Sequence, residues 1–161
     1  SRITWPMKNQ DLPDDQSASG LNQFAPYLMN RIMHRYNQGL QAEFAPKGLS
    51  VSKMRALAAL SSMGKLTVNE LAIYAVAEQS TMSRTVDQME KDGLITREVS
   101  PIDSRVRLVS LSEAGIEAHR TLWPKMLAAE TELLDGLDDA TRQQFVQTLN
   151  QILRNIRVND F

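Results

Sequence analysis

Between residues 21 and 44 apolar side chains return at every fourth position: Leu28, Ile32, Tyr36, Leu40 and Phe44, with Met29 and Met33 widening the stripe. That spacing predicts a helix with one apolar face. Pro26 fits its first turn, and Pro46 and Gly48 end it. A second helix is predicted over 51–63, capped by Ser50 or Ser52 and stopped by Gly64, with Met54, Leu57 and Leu60 or Ser61 inward. The third starts at Thr67, where Thr67-Val68-Asn69-Glu70 spells a capping box, and ends near Ala75 to Ala77. The fourth covers 79–91 and is closed by Gly93. It sets Met82, Val86 and Met89 on one face, and Ser80, Arg84, Asp87, Gln88 and Lys91 on the other. The period then drops from near four to two. LITREV (94–99) and RVRLVSL (105–111) alternate, are rich in β-branched residues, and flank a polar loop with a proline, which predicts a hairpin. Helical periods resume over 113–134, with a bend expected at Pro124, and over 138–157. Leu133, Leu134, Leu137, Phe145, Leu149, Ile152 and Ile156 are expected to pack the last helices. Residues 1–19 show no period; they predict an arm, pinned through Trp5 at a subunit interface.

Three short helices followed by a hairpin predict a winged helix-turn-helix lobe over 46–111. The fold class is mainly α with a small two-stranded β-wing. The small polar face of the fourth helix, Gln79, Ser80, Thr81, Ser83 and Arg84, suits a major groove. The small Ala72 lets the third helix cross it closely. At the wing, Asp103 stands two residues before Arg105. A carboxylate there can grip the guanidinium through two bonds and aim it at a minor groove. Arg97 and Arg107, on adjacent strands, are candidates for the sugar-phosphate backbone. Asp87 faces the same way as the polar helix face and is expected to orient Arg84. One of Lys53, Arg55 and Lys65 is expected on a phosphate.

Charge sharpens this only slightly. The formal net charge is −1. Residues 46–111 carry nine cationic and seven anionic groups and form the only basic third, so any nucleic-acid contact depends on the placement of a few residues. Cysteine is absent, which excludes disulfides and thiol-based sensing. His34 and His119 lie far apart without acids at ligand spacing, so no metal and no cofactor are expected. No cysteine, phosphate loop, metal-ligand spacing or GxSxG points to an enzyme. No apolar run reaches the length of a membrane span, and a cytoplasmic protein without membrane contact is expected.

The segment QSTMSRTVDQMEKDGLITREVSPIDSRVRLVSLSEAG resembles the MarR family of bacterial transcriptional regulators. It carries a Ser/Thr-rich recognition helix and the step Glu90-Lys91-Asp92-Gly93-Leu94. The wing signature Asp103-Ser104-Arg105 follows, then the close from Val109 to Gly115, in which Ser112 replaces the usual threonine and keeps the capping hydroxyl. The resemblance extends from about residue 20 to 157. It implies a homodimer whose base is built from 20–45 and 112–161. It also implies a double-stranded, pseudo-palindromic DNA operator read by two recognition helices about 34 Å apart. Many members repress and are released by small aromatic or phenolic ligands. Met29, Met33, His34, Tyr36 and Trp123 are the residues expected to line such a pocket, since thioethers suit adaptable sites. The competing expectation, kept open by the near-neutral lobe, is a winged helix that binds a protein instead of DNA.

Overall fold

Four of the helices begin where a side chain satisfies a free amide. In a computed structural model, which describes residues 20–161, the Ser50 hydroxyl accepts from the Lys53 amide at 3.1 Å and opens α2 (Val51–Met63). Thr67 and Glu70 form the reciprocal capping box of α3 (Val68–Tyr74), at 3.1 and 3.0 Å. Ser112 caps α5 (Glu113–Leu133), and Asp138 caps α6 (Asp139–Ile156). Pro26 sits in the first turn of α1 (Ala25–Phe44). The fourth helix, α4, spans Gln79–Lys91. Gly93 adopts φ 75°, and beyond it the Leu94 amide returns to the Met89 carbonyl at 2.9 Å. That 6→1 bond is the usual end of a helix closed by a left-handed glycine. The arm 1–19, with Trp5, lies outside the described residues.

The wing strands are β2 (Ile95–Val99) and β3 (Arg107–Leu111), antiparallel with Arg97 opposite Val109. A third strand, β1 (Leu66–Thr67), adds to the outer edge of β3, giving the order β1-β3-β2. The sheet is therefore three-stranded where the sequence suggested two strands. Two residues cannot display a period, and the capping box masks them.

Leu57, Leu71, Met82, Val86, Met89 and Val109 are fully buried, as are Phe44, Met54 and Leu60. This single core joins the end of α1, the lobe helices and the sheet. Leu122 and Ala129 bring α5 onto its edge. The expected packing of the last helices differs. Leu133, Leu137, Phe145, Leu149, Ile152 and Ile156 are exposed, and Leu134 is half-buried. Helix α6 buries none of its residues. Pro124 lies inside α5, which continues through it as one helix.

Candidate nucleic-acid interface

Helix α4 is amphipathic by position. Its apolar side is locked into the core, which leaves Gln79, Ser80, Ser83 and Arg84 exposed and Thr81 half-buried. No side chain caps its first amides, so they stay open at the exposed end. Gln79 is held by Asn69 of α3, and the Thr85 hydroxyl donates to the Thr81 carbonyl at 2.9 Å. Arg84 and Lys91 make no ion pair among the described residues.

Asp87 does not orient Arg84. It pairs with Arg97 of β2, whose Nε also lies 3.2 Å from Glu90. One guanidinium thus spans two acids a helical turn apart and ties the wing to α4. The expectation failed because sheet register, not helix spacing, decides which cation reaches Asp87. The three lobe cations flanking α2 are also engaged. Lys53 reaches Asp92 and the Gly48 carbonyl, both at 3.4 Å, and Lys65 pairs with Glu98. Arg55 bonds Asn37 at 3.1 Å and the Ala75 carbonyl at 3.4 Å.

The wing is a built turn. The Ser100 hydroxyl accepts from the amides of Ile102 and Asp103 at 3.2 and 3.4 Å, and the Val106 amide closes onto the Asp103 carbonyl at 3.0 Å. Asp103 Oδ1 accepts from the Arg105 amide and Nε, at 3.0 and 3.1 Å, while Oδ2 accepts from Nη2 at 3.1 Å. The Arg105 side chain is 86% exposed. It is held at its base and free at its edge, as the aiming argument requires. The Arg105 guanidinium, and then its amide, keep the Asp103 carboxyl below its ordinary range. Arg107 Nη1 donates to the Ser104 carbonyl at 3.0 Å and braces the tip from β3. Ser100 was missed from sequence, although a serine before a proline is a turn signal.

The five residues expected to line a pocket lie on two helices. Met29, Met33 and His34 are exposed on α1. Trp123 lies on α5, 5.5 Å from the His119 ring. Tyr36 is half-buried; burial pushes its phenol up, the Glu130 charge adds to that, and Arg55 opposes it. A shallow concavity of about 340 Å³ is lined by Arg55, Ala58, Ala59, Met63, Tyr74 and Met126 among others. Among the described residues no helix is long and apolar enough to cross a membrane.

Comparison with known proteins agrees with this geometry. A model of the MarR family matches residues 49–106, the lobe from the start of α2 to the wing. A MarR-family regulator structure from Silicibacter pomeroyi is 46% identical and covers 91% of this chain and 99% of its own, with a TM-score of 0.82. A second from that organism is 36% identical, covers 92% and 100%, and has a TM-score of 0.80. Among sequence relatives, the HTH-type transcriptional repressor IacR of Pseudomonas putida is 27% identical over 83% of this chain and 80% of its own. The family consists of DNA-binding regulators, not enzymes. The capped helices, the polar face of α4, the wing and the likeness along nearly the whole length lead to one assignment: this chain belongs to the MarR family of transcriptional regulators.

Proposed function

We propose that this regulator is a cytoplasmic homodimer that binds a pseudo-palindromic duplex operator. In each subunit Ser80, Thr81, Ser83 and Arg84, with Gln79 at the helix end, face a major groove. Arg105 enters the adjacent minor groove, steered by Asp103. Arg107 keeps the tip rigid, and Arg97 holds the wing at a fixed angle to α4; both lie near the path of the backbone. The observation that carries the reading is the outward Arg105, gripped at its base beside an uncapped polar helix face.

The dimer rests on exposed apolar residues. Leu28 and Ile32 on α1, Ile116 and Leu127 on α5, and Phe145, Leu149 and Ile152 on α6 are all more than a third exposed. Apolar faces of that extent on three long helices favour burial against a second copy. Repression is the sense favoured by the Pseudomonas putida relative. A small aromatic or phenolic effector fits the mixed apolar and cationic lining of the concavity beside Arg55 and Tyr74.

The pairing of Lys53, Arg55, Lys65 and Arg97 leaves few cations free, which favours the alternative of a protein-binding winged helix. Selection from random duplexes, with sedimentation of the product, separates the two. The operator reading expects enrichment of a two-fold symmetric site bound by one dimer, with half-sites about one helical turn apart. A monomer in solution, or no enrichment at low salt, would reject it.

A further inference from the structure

We infer that Arg55 is a positioning residue that couples the base helix α1 to the turn that aims the recognition helix. The link passes from Asn37 on α1, through the Arg55 guanidinium on α2, to the Ala75 carbonyl at the end of α3. All three side chains or groups lie where α1, α2 and the helix-turn-helix meet. Asn37 and Arg55 are half-buried, and Ala75 is buried.

The turn needs such a hold. Val76 has φ 54°, a left-handed conformation that no other non-glycine residue adopts among the described residues. A β-branched side chain is strained there. Val76 is also 76% exposed, so packing of its side chain does not offset the strain. Backbone bonds fix the conformation from within: Val76 amide to Ile73 carbonyl at 3.2 Å, and Ala77 amide to Ala72 carbonyl at 3.0 Å. Arg55 adds a side-chain bond, to the carbonyl just before Val76. That carbonyl belongs to the last turn of α3, where partners are missing and a cation is favoured.

Geometry makes this a coupler and not only a cap. Two nitrogens of one rigid, planar group point at acceptors on different elements. Nη2 cannot follow Asn37 without moving Nη1 against Ala75. A shift of α1 is therefore felt at Ala75, four residues before α4 begins. Helix α1 carries part of the exposed apolar face assigned to the dimer, so the inference rests on the operator reading for its consequence but not for the exchange arm of its test.

The test is amide exchange on the full chain for the wild type, Asn37→Ala, Arg55→Ala and Asn37→Asp. Both alanine variants are expected to speed exchange of the Val76 and Ala77 amides by roughly tenfold, the loss of one charge-assisted bond. Asn37→Asp, which keeps an acceptor, is expected to stay near the wild type. Exchange at Gly64, in the earlier turn that ends α2, should not change. Turn exchange unaltered by Asn37→Ala would overturn the coupling and reduce Arg55 to a local cap. Turn exchange unaltered by both alanine variants would overturn it as well. A second arm measures binding to selected operators whose half-sites are moved by one base pair. Asn37→Ala should blunt the wild type's preference for one spacing; a preference kept in full would count against the link. Failure of the wild type to select any duplex would reject the operator reading, while the exchange result still decides the coupling.

Discussion

Arg105 and Asp103 form an exposed pair, and such a pair adds little to folding. Its value is directional: two bonds to one carboxylate remove rotamers that the arginine would otherwise lose only on binding. The pH behaviour follows. Asp103 titrates below its ordinary 3.8 in the folded chain, so the pair is fully present above that value. It is lost only as acid drives the pH down through the lowered pKa. The Arg105 Nε resonance should therefore hold steady from roughly pH 8 to pH 5 and move only in stronger acid; a midpoint above the ordinary aspartate value would contradict the pairing. Val76 supports a second expectation. Relieving its left-handed strain is worth on the order of 1–3 kcal/mol, and the added chain freedom of glycine costs about 0.5–1. Since the valine is mostly exposed, Val76→Gly should stabilise the fold by about 1 kcal/mol in denaturant unfolding. A lower midpoint would show that the turn is not strained.

Local signals carry the elements furthest. Thr67 and Glu70 announce α3 because both halves of a capping box lie within four residues, and the structure has both bonds. Met82, Val86 and Met89 are buried as their spacing requires. Features set by distant partners were not legible. The strand β1 depends on β3, forty residues later. The choice of Arg97 by Asp87 depends on how β2 lies along α4. Gly115 shows both sides. The wing-closing pattern contains it, but the reason appears only in three dimensions: a Cβ there would lie 2.0 Å from the Leu94 carbonyl oxygen. The Ser112 amide bonds the same oxygen at 3.0 Å, so the start of α5 cannot back away cheaply. Gly115→Ala should cost roughly 2 kcal/mol or more in thermal or denaturant unfolding. A loss under about half that would mean α5 shifts freely against the wing.

At the scale of the whole molecule, the core centres on the lobe and takes in only parts of α1 and α5, and the base helices are left with exposed apolar faces. The Phe145, Leu149 and Ile152 stripe was legible as a helix face from sequence, but what covers it was not, because helical spacing marks an apolar face without naming its partner. The same holds for the proposed pocket. Met29, Met33 and His34 share a helix and are exposed on it. With most lobe cations paired internally, recognition falls on few side chains, and Arg105 is the one whose loss should be most visible. The most direct measurement is the affinity of Arg105→Ala for the selected operator at fixed salt, beside the sedimentation of the same protein. The account predicts a loss of about tenfold or more with the dimer intact. Binding equal to that of the wild type would contradict it.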